Sequence, residues 1–191
     1  MTRNQPSNWP SEIVFRGKST YHSSVTGSIK TYLLSFPIPS STIGETNTPC
    51  KVLIRKIQDV AHPANGQCGL FAGQKIGAAT FIIDYIGEIH TDDRPESDYD
   101  LSLARLEDGT SIGVDASHMG NEARFVNDYR GIRRKHNAQF SEYRTRSGEL
   151  RICIRSCEDI KKGEEILVSY GKSWWKARES FSGYSNACDH L

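Results

Sequence analysis

Three tyrosines are the side chains in this sequence best placed to do chemistry. Tyr85, Tyr99 and Tyr170 stand at strand positions, each beside a glycine or an acid, in DYIGE, SDYDL and VSYG. A tyrosine has an apolar body and a polar hydroxyl, so it can face a ligand or fill a core with its hydroxyl satisfied. On the residues alone, either use is open to one or two of the three. GQCGLFA adds Gly66 and Gly69, where a missing Cβ allows close backbone approach to a ligand; a lone Gly-x-x-Gly is more often only a turn. No Ser/His/Asp or Cys/His constellation stands out, and the six histidines have no metal spacing.

The five cysteines, Cys50, Cys68, Cys153, Cys157 and Cys188, contain no C-x-x-C, which argues against a structural zinc site. Cys153 and Cys157 fall in ELRICIRSCEDI, read as strand, where four residues span roughly 13 Å, too far to share one ion. Free, reduced thiols are expected, as in an intracellular protein.

The elements that must position the tyrosines are short. KVLIRKI, ATFIIDYIGEI, SDYDLSLARL, TSIGVDA, ELRICIRSC and EEILVSY read as strands. Asp108-Gly109 is a turn signal between the third and fourth. HPANGQCGLFA reads as a turn running into apolar residues, GNEARFVNDYRG as a short helical turn feeding a loop, and KSWWKARESF as a short terminal helix. IKTYLLSF within the Ser/Thr/Asn/Pro-rich start reads as a further strand, and PIPSSTIGETNTP as a loop. Many short strands without βαβ alternation argue against a Rossmann fold, and no fixed-period repeat is present. Periodicity alone stops at a mixed, β-rich domain.

The chain has 191 residues with 37% apolar side chains and 25% charged, enough to bury a core and unlike a disordered tail. A net charge of +1 provides no bulk attraction to nucleic acid or anionic membrane. Charge is nevertheless segregated. Asp84 to Asp100 holds seven acids and one base; Arg124 to Arg146 holds seven bases and two acids. Two solvated loops are the plain reading of these stretches. No apolar run approaches the roughly 18 residues of a membrane span, and MTRNQPSNWP has no apolar core of a secretory signal. A soluble, intracellular protein without membrane contact is the expectation.

Taken in order, four segments go further. CGLFA, DYIGE, GNEARFVND and GEEILVSYG resemble, at plausible spacings, the motifs of the SET-domain protein lysine methyltransferases, over about residues 66 to 175. The resemblance implies a fold of several small β-sheets with few short helices, in which the segment near Asn127 and the C-terminal segment near Tyr170 make a knot-like crossing. It divides the chain into a partly ordered extension (1–49), the SET domain (50–172) and a short C-terminal segment (173–191). It implies S-adenosylmethionine as methyl donor. The backbone of Cys68, Gly69 and Leu70 would contact the donor's polar end. Tyr99 would sit at the donor, Arg124 and Phe125 would line its pocket, Asn127 would hydrogen-bond it, and Trp174 would cover its adenine. Tyr85 and Tyr170 would line the channel for the target lysine and serve as the catalytic pair.

Departures from the family pattern carry information too. Asn127-Asp128-Tyr129-Arg130 stands where many members have Asn-His-Ser-Cys. Asp128 thus takes the place of a donor-side histidine, and Arg130 that of a zinc cysteine, so no metal is expected. Val168, two residues before Tyr170, lacks the hydroxyl that tends to limit methylation state, which leans toward more than one methyl group. The acidic stretch suits a basic, lysine-containing segment of a histone or ribosomal protein, with the nucleus favoured over the cytoplasm. The run Arg130, Arg133, Arg134, Lys135 offers contact to nucleic acid without requiring it. The alternative to an enzyme is a catalytically silent SET module that binds a peptide or partner.

Overall fold

The structure is a computed structural model and describes residues 5–6, 8–34, 47–172 and 174–176. Its strands are β1 (Val14–Phe15), β2 (Thr20–Tyr21), β3 (Val52–Lys56), β4 (Cys68–Ala72), β5 (Phe81–Asp84), β6 (Glu88–His90), β7 (Asp100–Arg105), β8 (Ser111–Asp115), β9 (Met119–Gly120), β10 (Asn127–Asp128), β11 (Ala138–Arg144), β12 (Leu150–Ser156) and β13 (Leu167–Val168). Helix α1 (Gly27–Leu34) and a 3-10 turn at Glu122–Phe125 accompany the strands. The strands form five small sheets in the orders β1-β9, β10-β13, β11-β12-β5, β2-β6-β8-β7 and β3-β4. The expected β-rich architecture of small sheets and few helices is what the chain adopts.

The single β run read over ATFIIDYIGEI is two strands in two different sheets. Between them the chain turns at Tyr85, Ile86 and Gly87. A Cβ on Gly87 would stand 2.4 Å from the Asp115 carbonyl oxygen, so only glycine permits this approach. Asn121 fastens the turn: its amide donates to the Asp84 carbonyl at 2.8 Å and accepts from the Ile86 N–H at 3.3 Å. One side chain therefore satisfies two backbone groups that the break in the strand would leave unmade.

The crossing of distant segments is built by β10 and β13, which pair in parallel with Asn127 opposite Leu167 and Asp128 opposite Val168. The buried amide of Asn137 bridges into it, donating to the Glu165 carbonyl and accepting from the Leu167 N–H, both at 2.8 Å.

The described part of IKTYLLSF, residues 29–34, is not a strand, and its last two residues lie outside the described residues. Gly27–Leu34 is α-helical, with Ile29 and Leu33 buried four residues apart on one face; the Thr26 hydroxyl accepts from the Ile29 N–H at its start. The β-branched and aromatic residues suggested strand, but the i, i+4 spacing of the buried pair decides. Residues 8–34 also pack on the sheets. β1 pairs in parallel with β9 and β2 with β6, and Trp9, Val25, Ile29 and Leu33 share one core with Leu70, Ile82, Tyr85, Phe125 and Val168. Trp9 meets Phe15 and Phe125 edge-on, at 5.0 and 5.4 Å between ring centres, and donates its indole N–H to the Ile13 carbonyl at 2.6 Å. Cys153 is buried in β12 and Cys157 is exposed just beyond it; Cys188 lies outside the described residues. In the proposed terminal helix, Lys172 and residues 174–176 are helical, and the remainder lies outside the described residues.

Trp9→Ala should destabilise the fold by about 3–5 kcal/mol, the range for truncating a buried aromatic. Urea unfolding measures this; a loss under about 1 kcal/mol would show that the N-terminal segment does not share the core.

Candidate active site

Two adjoining cavities lie where β7, the 3-10 turn, β10 and the residues after β13 converge. The smaller, about 320 Å³, is lined by Tyr85, Phe140, Leu101, Ser102, Val126 and Asp100. The larger, about 430 Å³, is lined among others by Ile13, His62, Cys68, Phe125, Asn127 and Asp128. Asp98, Tyr99, Arg124, Tyr170 and Trp174 line both. These volumes fall within or near the lower part of the range for small-molecule pockets.

Two tyrosine hydroxyls are fixed by backbone carbonyls. Tyr85 donates to the Tyr99 carbonyl at 2.7 Å, and Tyr170 donates to the Val126 carbonyl at 2.8 Å. Each hydroxyl commits its proton to that bond and keeps lone pairs for a second partner. Burial pushes both phenols above the ordinary tyrosine value, with the Asp128 carboxylate adding to the effect at Tyr170. The Tyr85 ring stands edge-on to Phe140 at 5.8 Å, and that of Tyr170 to Trp174 at 4.8 Å.

Arg124 is a buried cation held by carbonyls and rings. Its Nε donates to the Ala116 carbonyl at 2.9 Å, and its guanidinium carbon lies 4.1 Å from the Tyr99 ring centre and 4.9 Å from that of Phe125. The cation–π contact fixes the Tyr99 ring, which lines both cavities.

Asp128 gathers the C-terminal segment. Its carboxylate accepts from the Arg130 N–H at 2.9 Å, the Tyr170 N–H at 2.8 Å and the Trp175 indole at 3.3 Å, and pairs with the Arg130 guanidinium at 2.9 Å. Arg130 in turn lies 5.2 Å from the Trp175 ring centre. The two departures from the family pattern thus act on each other: Asp128 and Arg130 form a pair that ties Tyr170 and Trp175 together.

Asn127 donates its side-chain amide to Glu165 Oε1 at 2.8 Å and to the Cys68 carbonyl at 3.4 Å. Glu165 Oε2 lies 2.9 Å from His62 Nε2. Cys68 lines the larger cavity, but Gly69 and Leu70 stand behind it in β4; Leu70 is fully buried and its carbonyl accepts from the Ile166 N–H. The missing side chain of Gly69 makes room for protein, since a Cβ there would lie 2.6 Å from Glu165 Oε1 and 3.2 Å from Asn127 Nδ2. Gly66 has φ +82° and open space around it, as a turn glycine does. Val168 is fully buried and lines neither cavity. Sequence reasoning missed Glu165, His62 and Asn121; the second acid of GEEILVSYG, half-buried where Glu164 is exposed to solvent, gave no sign of which one turns inward.

A family model, the SET domain, matches residues 67–171, more than half of the sequence. The chain belongs to the SET-domain family. The SET-domain chain is 30% identical over 109 residues to the histone-lysine N-methyltransferase ASHH3 of Arabidopsis thaliana, covering 53% of this chain and 29% of that protein. It therefore spans less than a third of this curated relative. Among solved structures it is similar to ctPRC2 in an autoinhibited conformation bound to S-adenosylmethionine, with 26% identity, a TM-score of 0.51, and coverage of 72% of this chain and 17% of the other. It shares its fold with ATXR5 in complex with histone H3.1, at 19% identity, a TM-score of 0.60, and coverage of 84% and 82%.

Asp128→Ala should lower stability by about 1.5–3 kcal/mol, the worth of a hydrogen bond to a charged group, and shift tryptophan emission as Trp175 loses its carboxylate partner. Unchanged urea unfolding with unchanged emission would contradict the clamp. In an alkaline absorbance titration, Tyr85, Tyr143 and Tyr170 should be missing from the phenols that ionise near pH 10, because burial raises all three. The unfolded chain releases these protons first, so stability is complete below about pH 10 and falls as pH rises above it. Ionisation of all eight tyrosines near pH 10 in the folded protein would contradict this.

Proposed function

We propose that this SET domain is an S-adenosylmethionine-dependent methyltransferase acting on the ε-amine of a lysine in a protein. The observation that carries the reading is the pair of cavities meeting at Tyr99, Arg124 and Tyr170, each lined by aromatic rings together with charged side chains. The larger cavity suits the donor: its lining holds Asp98, Asp128, Arg124 and Arg130 together with aromatic rings, for a ligand with an amino acid at one end and an adenosine at the other. Cys68, Tyr99, Phe125, Asn127 and Trp174 would hold it. When bound, S-adenosylmethionine supplies a methyl group on a sulfonium that departs as a neutral thioether, a transfer that calls for no metal.

The smaller cavity would take the lysine. A lysine near pKa 10.4 is almost entirely ammonium at pH 7 and must shed its proton before attack. The faces of Tyr85 and Phe140 attract the incoming ammonium, and removal from water then lowers its pKa. Tyr170 would accept an N–H of the amine with the lone pairs its own bond to Val126 leaves available, which aims the nitrogen at the methyl carbon. Such orientation contributes several kcal/mol to lowering the barrier.

A basic target segment, of a histone or a ribosomal protein, and a nuclear location are part of this proposal. Several acids of the 84–100 stretch are committed within the protein: Asp84 to Arg151, Glu88 to Arg94, Asp92 to His22 and Arg94, and Asp100 to His90. Asp93 and Glu96 are exposed to solvent, so these two would carry the attraction. On the basic side, Arg130 pairs with Asp128, and Arg133 and Lys135 with Glu158, which weakens the case for nucleic-acid contact.

With labelled donor and a mixture of core histones and ribosomal proteins, the wild type should label lysine, and Tyr170→Phe should keep its fold yet lose roughly 10²-fold in turnover. Turnover of the variant within about twofold of wild type would overturn the role of Tyr170. No labelling by wild type, with donor binding lost as well, would favour the silent module.

A further inference from the structure

We propose that His62 and Glu165 are positioning residues: they fix the amide of Asn127 so that the larger cavity presents an acceptor oxygen to the ammonium of the donor's amino-acid end. This rests on the donor assigned above. The relay begins in the backbone. The Ala64 N–H donates to His62 Nδ1 at 3.0 Å, so that nitrogen is the acceptor and the ring proton lies on Nε2. Nε2 donates to Glu165 Oε2 at 2.9 Å. The other carboxylate oxygen accepts from Asn127 Nδ2 at 2.8 Å, and the second hydrogen of that amide faces the Cys68 carbonyl at 3.4 Å.

The orientation of Asn127 follows from this. The atom of its amide that faces Glu165 and Cys68 sits between two acceptors, and an oxygen there would be repelled by both, so it is the nitrogen. What Asn127 has left to offer a ligand in the cavity it lines is Oδ1. An amide oxygen backed by a carboxylate favours a cationic N–H donor over a neutral one. Of the two ends of the donor, the amino acid carries an ammonium and the adenosine does not.

The relay is built to hold. The side chains of His62 and Glu165 are 9% and 10% exposed, and a carboxylate so far removed from water needs donors on both oxygens. The turn that carries His62 is pinned by its own N–H bonded to the Asp59 carbonyl, with the Asp59 side chain accepting from the Ala61 N–H. Gly69 supplies the room, since any side chain there would meet Glu165 and Asn127. His62 belongs to the loop between β3 and β4, outside the four motifs that identify the family and ahead of the matched residues 67–171.

The test uses two neutral-sulfur relatives of the donor that share adenosine and differ in the amino-acid end. S-adenosylhomocysteine has it; 5′-methylthioadenosine lacks it. Calorimetry on the full chain should show His62→Leu losing about tenfold or more in affinity for S-adenosylhomocysteine, with methylthioadenosine binding within twofold of wild type. His62→Gln, whose amide can still donate to Glu165, should recover most of the loss. Equal melting temperatures for the two variants separate positioning from folding. If His62→Leu weakens both compounds equally, or if His62→Leu and His62→Gln bind S-adenosylhomocysteine alike, the inference is overturned and the donor reading stands. If wild type binds neither compound, the donor reading itself is overturned, and this inference with it.

Discussion

The structure depends on one contact between segments far apart in sequence: the parallel pairing of β10 with β13 and the carboxylate of Asp128 that completes it. Two residue pairs of backbone register would hold little alone. The buried Asp128 adds charge-assisted bonds to the Tyr170 N–H and the Trp175 indole, and Tyr170 returns its hydroxyl to the Val126 carbonyl. All three donors belong to the C-terminal segment and their acceptors are Asp128 and Val126, so neither segment can shift without breaking them. Everything assigned to the site hangs from this crossing. Tyr170 and Trp174 line both cavities because of it, and Glu165, two residues before β13, reaches Asn127 of β10 for the same reason.

A second constraint sets the opposite wall. The break between β5 and β6 turns Tyr85 inward, where Asn121 holds the turn and Gly87 lets it pass under Asp115. Tyr85 then donates to the Tyr99 carbonyl, and Arg124 lies on the Tyr99 ring. Three segments separated in the sequence are locked together, Asn121 and Tyr85 bonding to backbone and Arg124 stacking on the Tyr99 ring. Backbone carbonyls recur as the acceptors for Tyr85, Tyr170 and Arg124. Such acceptors cannot rotate away, which suits a site that must hold its geometry while a substrate enters.

Much of this was legible in the residues, and the limits are physical. Alternating β-branched and aromatic runs revealed the strands, and four ordered motifs revealed the family. α1 was misread because Tyr32 and Ile29 weigh as strand formers while the burial that makes them helical comes from the sheets beneath. The two-sheet break at Tyr85 was hidden because an unbroken apolar run looks the same whether it lies in one sheet or crosses between two. Gly69 reads in the sequence as a place of close backbone approach, and the space where a Cβ would stand is taken by Glu165; a missing Cβ does not say what fills the space. Asp128 and Arg130 were visible as departures from a pattern, but only coordinates reveal that they pair. His62 carried no signal at all, since a histidine in a loop declares its partner only through the fold.

The central claim is that donor and target amine enter different cavities and meet at Tyr170. A crystal structure with S-adenosylhomocysteine and a lysine-containing basic peptide tests it most directly. The account predicts the homocysteine sulfur in the larger cavity, the lysine side chain in the smaller between Tyr85 and Phe140, and the lysine nitrogen within hydrogen-bonding distance of the Tyr170 hydroxyl. Adenosine in the cavity of Tyr85 and Phe140, or a lysine nitrogen bound away from Tyr170, would contradict it.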